Sequence, residues 1–128
     1  VTRQPRILLI DDDRDFVEAT AVVLASAYQV DVAYDGADGL RQARQSRPDL
    51  IILDVIMPGQ DGFQVCRQIG ADPSLADVPV ILLTSLPNGV NPPATPDETL
   101  PAATYLEKPL RPAELLRQVN RALGGALC

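Results

Sequence analysis

The chain has 128 residues, a mass of 13.8 kDa, a formal net charge of −6 and an isoelectric point near 4.4. That is the length of a single domain with one closed core. The acidic balance argues against general binding to nucleic acid or to an anionic membrane surface, both of which require a basic face, and the lack of any histidine excludes histidine metal sites and histidine general bases.

The elements alternate. Arg6–Ile10 is a continuous apolar run, as expected of a strand buried on both faces. Residues 15–27 carry Phe16, Ala19, Val23 and Ala27 at helical spacing, with Asp13 at the start of that helix. Residues 29–34 alternate like a strand. Asp35-Gly36 is a turn or cap, and Ala37, Leu40 and Ala43 mark a second helix that Pro48 ends. Residues 50–53 form a third apolar run, closed by Asp54. Met57-Pro58-Gly59 reads as a loop, and Asp61 as the cap of a helix bearing Phe63, Val65, Cys66 and Ile69. Val80–Leu83 is a fourth strand, ending in Thr84-Ser85. The rhythm then fails across residues 86–101, where Pro87, Pro92, Pro93, Pro96 and Pro101 exclude an ordinary helix. Tyr105-Leu106 is a short fifth strand, followed by Glu107, Lys108 and Pro109. A last helix starts at Pro112, a residue suited to a first helical position, although Arg111 before it is a weak cap. "GGALC" frays the end.

Strands separated by helices predict a parallel sheet with helices on both faces, in one domain spanning 1–128. Cys66 and Cys128 lie far apart, so no disulfide framework is expected. With no leader pattern and no membrane-spanning run, a cytoplasmic location is expected. Cys66 reads as a small buried apolar group, and Met57 and Phe63 as packing residues.

In such a sheet ligands bind beyond the carboxyl ends of the strands, where the winding reverses. Asp11 and Asp12 follow strand one, Asp54 ends strand three, Thr84 ends strand four and Lys108 follows strand five. One rim would therefore collect them all. Clustered carboxylates repel unless protonated or paired with a cation, and an oxygen-only donor set suits Mg²⁺. A cation beside a carboxylate also permits attack on a phosphoryl group by offsetting the repulsion between two anions, while a lysine and a hydroxyl bind the remaining phosphoryl oxygens.

"ILLIDDDRDF", "PDLIILDVIMPGQDGFQVCRQI", "VPVILLTS" and "YLEKPLRPAELL" together resemble the receiver domain of two-component response regulators, over about residues 5–123. The resemblance implies a doubly wound α/β fold of flavodoxin-like strand order 2-1-3-4-5. It implies Asp54 as phosphoacceptor, Asp12 as a direct Mg²⁺ ligand, Asp11 as an acid reaching the ion through water, and the Ile56 carbonyl as a further ligand. By the same resemblance Thr84 is the switch hydroxyl, Tyr105 the aromatic switch, and Lys108 the phosphate-binding lysine before a cis Pro109. Ile56 and Leu86 occupy the positions that tune dephosphorylation. Both are apolar and unable to orient a water, so a long-lived phosphoryl group is expected. Such a domain is a switch that catalyses its own phosphorylation rather than a turnover enzyme. Its partners are a sensor histidine kinase or histidine phosphotransfer protein and an output partner that the sequence does not name.

The chain departs from the family pattern in the proline-rich segment, where the fourth helix is expected to be missing, short or disordered. That departure leaves a rival reading, a receiver-like interaction module that works without phosphorylation. A phosphatase resembling the haloacid dehalogenase family is a poorer rival, because its second acid would stand where Ile56 is.

Overall fold

The computed structural model describes residues 4–57, 60–84, 103–108 and 110–124, with only the backbone described at 56, 60, 61, 103 and 104. The expectations placed on Ser85, Leu86, Pro109, Cys128 and the proline-rich segment 86–101 lie outside the described residues. The elements run β1 (Arg6–Ile10), α1 (Arg14–Ala25), β2 (Gln29–Ala33), α2 (Gly36–Ser46), β3 (Leu50–Asp54), β4 (Ile56–Met57), β5 (Gln60–Asp61), α3 (Gly62–Ala71), β6 (Val80–Thr84), β7 (Ala103–Glu107) and α4 (Pro112–Ala122).

Five of these strands form one sheet in the order β2-β1-β3-β6-β7, every pair parallel. This is the doubly wound 2-1-3-4-5 order. The side-chain period of two then sorts the apolar runs between two faces. Leu8, Ile10, Ile51, Leu53, Val80 and Leu82 pack with Leu40 and Ala43 of α2 and Val65, Cys66 and Ile69 of α3. Ile7, Leu9, Leu50, Ile52, Ile81 and Leu83 pack with Val17 and Leu24 of α1 and Leu115 and Val119 of α4. Burial on both faces explains why β1, β3 and β6 read as unbroken apolar runs.

Local chemistry sets the boundaries. α1 starts at an Asp13 N-cap whose side chain accepts the Phe16 N–H, and it stops at Ala25 rather than Ala27. α2 is capped by Asp35, which accepts the Asp38 N–H at 2.7 Å. It ends because Arg47 turns left-handed (φ 42°) one residue before Pro48, where the proline ring disfavours helical backbone. α4 begins with Pro112 behind an Arg111 that gives no side-chain cap. The stretch read as a loop at Met57 is more regular than expected: β4 and β5 pair antiparallel, Ile56 with Asp61 and Met57 with Gln60. Strands of two residues are too short for any periodicity to reveal. α3 starts at Gly62, directly after Asp61. Whether the Asp61 side chain caps it falls outside the described residues.

Candidate acidic site at the carboxyl rim of the sheet

β1 ends at Ile10 and hands the chain to Asp11, whose N–H donates to the Ala33 carbonyl of β2 at 3.1 Å. That bond carries the backbone past the sheet edge and turns the Asp11 side chain inward, where it is fully buried. One of its oxygens, Oδ1, accepts the Asp13 N–H at 3.0 Å, tying the acid to the cap of α1. Asp12 is exposed beside it. Asp54, the last residue of β3, is buried at 3% exposure. Asp11, Asp12 and Asp54 each offer a carboxylate oxygen within 4.8 Å of the others.

Lys108 enters from the far edge of the sheet. Its N–H donates to the Thr84 carbonyl at 2.8 Å, which fixes the residue just beyond β7 against the end of β6. Its Nζ donates to Asp11 Oδ2 at 2.6 Å and stands 3.6 Å from Asp54 Oδ2. Burial alone would lower the lysine pKa. The hydrogen bond and charge of Asp11, with the charges of Asp54 and Asp13, outweigh it, so the pKa sits above its ordinary value and the ammonium stays charged. Lys108 is the chain's single lysine, every other basic side chain being arginine.

The sheet register places Thr84 beside this group. Asp54 lies opposite Leu83 and Thr84 opposite Glu107, and Thr84 is buried. Gly62 packs directly against the backbone at the end of β3. Its N–H donates to the Val55 carbonyl at 2.9 Å, and a Cβ there would lie 2.3 Å from the Asp54 carbonyl oxygen. Only a residue without a side chain can approach the strand end so closely.

Of the residues singled out in the sequence, Asp11, Asp12, Asp54 and Lys108 meet in one cluster, and Thr84 shares their rim. Ile56 is two residues beyond Asp54 at the start of β4, with only its backbone described. Tyr105 is set apart. It sits in mid-strand opposite Leu82, half-buried and packed on the face covered by α2 and α3. Met57 and Cys66 are buried in that same layer and Phe63 packs against it.

One neighbour of the site escaped the sequence reading. Lys108 Nζ stands 4.2 Å from the centroid of the Phe16 ring on α1. The spacing of Phe16 marks it only as part of a helix face. Its contact with a residue ninety-odd positions later depends on the fold bringing the residue after β7 to the start of α1.

The donor set suits a small hard cation. It consists of oxygen atoms only, and a single ammonium faces three carboxyl groups. Ligands across an octahedral Mg²⁺ lie about 4 Å apart, so a 4.8 Å spread accommodates direct and water-bridged donors together.

A family model described as the response regulator receiver domain matches residues 7–120. The protein PilH of Pseudomonas aeruginosa is 35% identical over 121 residues, covering 94% of this chain and 98% of its own length. The DNA-binding response regulator MtrA of Mycobacterium tuberculosis is 35% identical over 123 residues, 95% of this chain but 52% of MtrA. The chain thus spans nearly all of one relative and about half of the other. Among solved structures, the chemotaxis response regulator CheY4 of Vibrio cholerae superposes with a TM-score of 0.80 at 26% identity, over 94% of this chain and 99% of that one. Fold, acidic rim and sequence agree, and the chain belongs to the response regulator receiver domain family of two-component signalling.

Proposed function

We propose that this domain takes a phosphoryl group onto Asp54 from a phosphohistidine on a sensor kinase or histidine phosphotransfer protein. The observation that carries this reading is the placement of Lys108 Nζ, 2.6 Å from Asp11 and 3.6 Å from Asp54, beside the acidic trio. A buried carboxylate next to a fixed ammonium and a cation-seeking donor set is arranged to receive an anion.

In the transfer, an Asp54 carboxylate oxygen bonds to phosphorus as the phosphorus–nitrogen bond of the donor breaks. The bonding pair stays with the departing imidazole, which takes up a proton. Lys108 binds a phosphoryl oxygen and so offsets the charge that the transfer brings to the buried carboxylate. Thr84, at the end of the adjacent strand, supplies a hydroxyl to another oxygen and reads out the modification, with Tyr105 as a second switch residue. Asp11, Asp12, Asp54 and the Ile56 carbonyl would hold Mg²⁺, whose charge compensates repulsion between carboxylate and phosphoryl group. Hydrolysis returns the site to rest by adding water and releasing inorganic phosphate. Ile56 and Leu86 are aliphatic and offer that water no hydrogen bond, so the acyl phosphate persists. The domain is a self-phosphorylating switch. It operates in the cytoplasm as one unit over residues 1–128, through protein contacts with the kinase and an output partner rather than through nucleic acid or membrane.

The test is incubation with acetyl phosphate, with and without Mg²⁺, read by intact mass. The expected result is one added phosphoryl group that requires Mg²⁺, is absent from Asp54→Asn and decays over many minutes after the donor is removed. A folded protein that stays unmodified by both acetyl phosphate and a phosphohistidine donor would favour an interaction module that works without phosphorylation.

A further inference from the structure

We infer that Phe16 is a positioning residue for phosphoryl uptake, holding the Lys108 ammonium against the acidic cluster with the face of its ring. The inference rests on the reading of Asp54 as phosphoacceptor.

The ring and the lysine close a circuit of local contacts. Lys108 Nζ donates to Asp11 Oδ2 at 2.6 Å. Asp11 Oδ1 accepts the Asp13 N–H at 3.0 Å. Asp13 Oδ1 accepts the Phe16 N–H at 3.2 Å. The Phe16 ring lies 4.2 Å from Nζ and completes the loop. The acid run, the helix cap and the aromatic residue are therefore one device, and it fixes a side chain that comes from the other end of the chain. Lysine has a long, flexible stem, and its head is worth most to a reaction when it is held in place beforehand.

The chemistry explains why an aromatic face suits this wall. A carboxylate there would bind the ammonium more strongly, but it would compete with an incoming phosphoryl group and repel it. An aliphatic wall would only exclude water. The negative face of a benzene ring attracts the ammonium in a partly dry site and carries no net charge to oppose an anion. Phe16 can take this position because its backbone is locked at the third residue of α1 by the Asp13 cap. Its remaining surface packs against the layer formed with α1 and α4. Lys108 is 16% exposed, so little solvent screens the contact.

Because Lys108 is the only lysine, its ε-methylene gives one signal in a lysine-labelled sample and needs no assignment. A ring whose face lies 4.2 Å from Nζ is expected to shield the adjoining methylene and move its proton resonance upfield. The experiment compares wild type with Phe16→Leu, Phe16→Met and Phe16→Tyr in the full chain. Each is checked for an intact thermal transition, then followed by this resonance and by phosphorylation from acetyl phosphate over a range of donor concentrations. The expected result has three parts: an upfield-shifted methylene in wild type and Phe16→Tyr, loss of the shift in Phe16→Leu and Phe16→Met, and a maximal phosphorylation rate about threefold to thirtyfold lower in those two alone. Equal rates in all four proteins would overturn the inference. So would equal slowing in Phe16→Tyr, which would mean that packing alone matters, or an unshifted methylene in wild type. Two variants without the ring guard against a fault peculiar to one of them. A wild type that takes up no phosphoryl group from acetyl phosphate or from a phosphohistidine donor would instead defeat the reading of Asp54 itself, a failure seen in wild type and so distinct from one confined to the Phe16 variants.

Discussion

At position 108 the choice of lysine over arginine has physical content. The ammonium is a compact point charge 2.6 Å from Asp11 and 4.2 Å from the Phe16 centroid, whereas a guanidinium spreads its charge over a longer, planar group and cannot place it at that one point. Lys108→Arg is therefore expected to lower phosphoryl uptake from acetyl phosphate almost as far as Lys108→Met, by about 10²-fold or more. Lys108→Met also leaves the fully buried Asp11 without its ammonium, and urea unfolding in the presence of a chelator should show a loss of about 1–3 kcal/mol. Gly62 is equally constrained. A Cβ there meets the Asp54 carbonyl at 2.3 Å and Val55 Cα at 2.4 Å, both backbone atoms that cannot swing aside. Gly62→Ala should cost about 1–3 kcal/mol and slow phosphorylation as well, because the strand end that carries Asp54 must shift. Cys66 bears on pH instead. Burial raises its thiol pKa from 9.0 to about 11, with Arg67 opposing weakly. The unfolded chain thus gives up this proton before the native chain does. The resulting stability is intact below pH 9 and is lost as pH rises through 11. Measured by urea unfolding between pH 8 and 11, wild type should lose up to about 2–3 kcal/mol more than Cys66→Ala does.

Among the elements, the helix caps differ in quality and the difference is testable. Asp35 caps α2 with a 2.7 Å bond, whereas Arg111 holds an extended N-cap backbone before α4 and contributes no side-chain bond. Asp35→Ala should destabilise by about 0.5–2 kcal/mol, and Arg111→Ser should stabilise by up to about 1 kcal/mol, both read from urea unfolding midpoints. These caps also mark how far the sequence can be read. Asp13, Asp35 and Pro112 announce their helices because a cap acts within three residues of itself. The five sheet strands are legible because burial on both faces makes each central one an apolar run. The ribbon of β4 and β5 is not legible, since two residues cannot display a period. The Phe16–Lys108 contact is hidden for the opposite reason: it joins residues far apart in the chain, through a packing arrangement that no local pattern encodes. Asp11, Asp12, Asp54, Thr84 and Lys108 could be placed on one rim in advance, because parallel winding sends every strand end to the same side.

At the scale of the whole molecule, the described residues form a five-stranded parallel sheet with α2 and α3 over one face and α1 and α4 over the other, beside the short β4–β5 ribbon. Within the described residues no helix is long and apolar enough to cross a membrane. A ligand that binds only the folded arrangement stabilises it by mass action. Mg²⁺ at a hundred times its dissociation constant should therefore add about 2.7 kcal/mol to wild-type stability, and much less to Asp12→Ala, as thermal unfolding with and without a chelator would show. The pairing of Lys108 with Asp11 also bears on how the protein is made. The two residues are 97 positions apart, so the acids leave the ribosome long before their lysine. A nascent chain that has completed β1 to β3 holds all three clustered carboxylates, Asp11, Asp12 and Asp54, yet β7 and Lys108 are still to come. The ammonium that faces these carboxylates is thus the last part of the cluster to be made, and on the proposed role of Asp54 a chain that stops short of Lys108 is expected to take up no phosphoryl group.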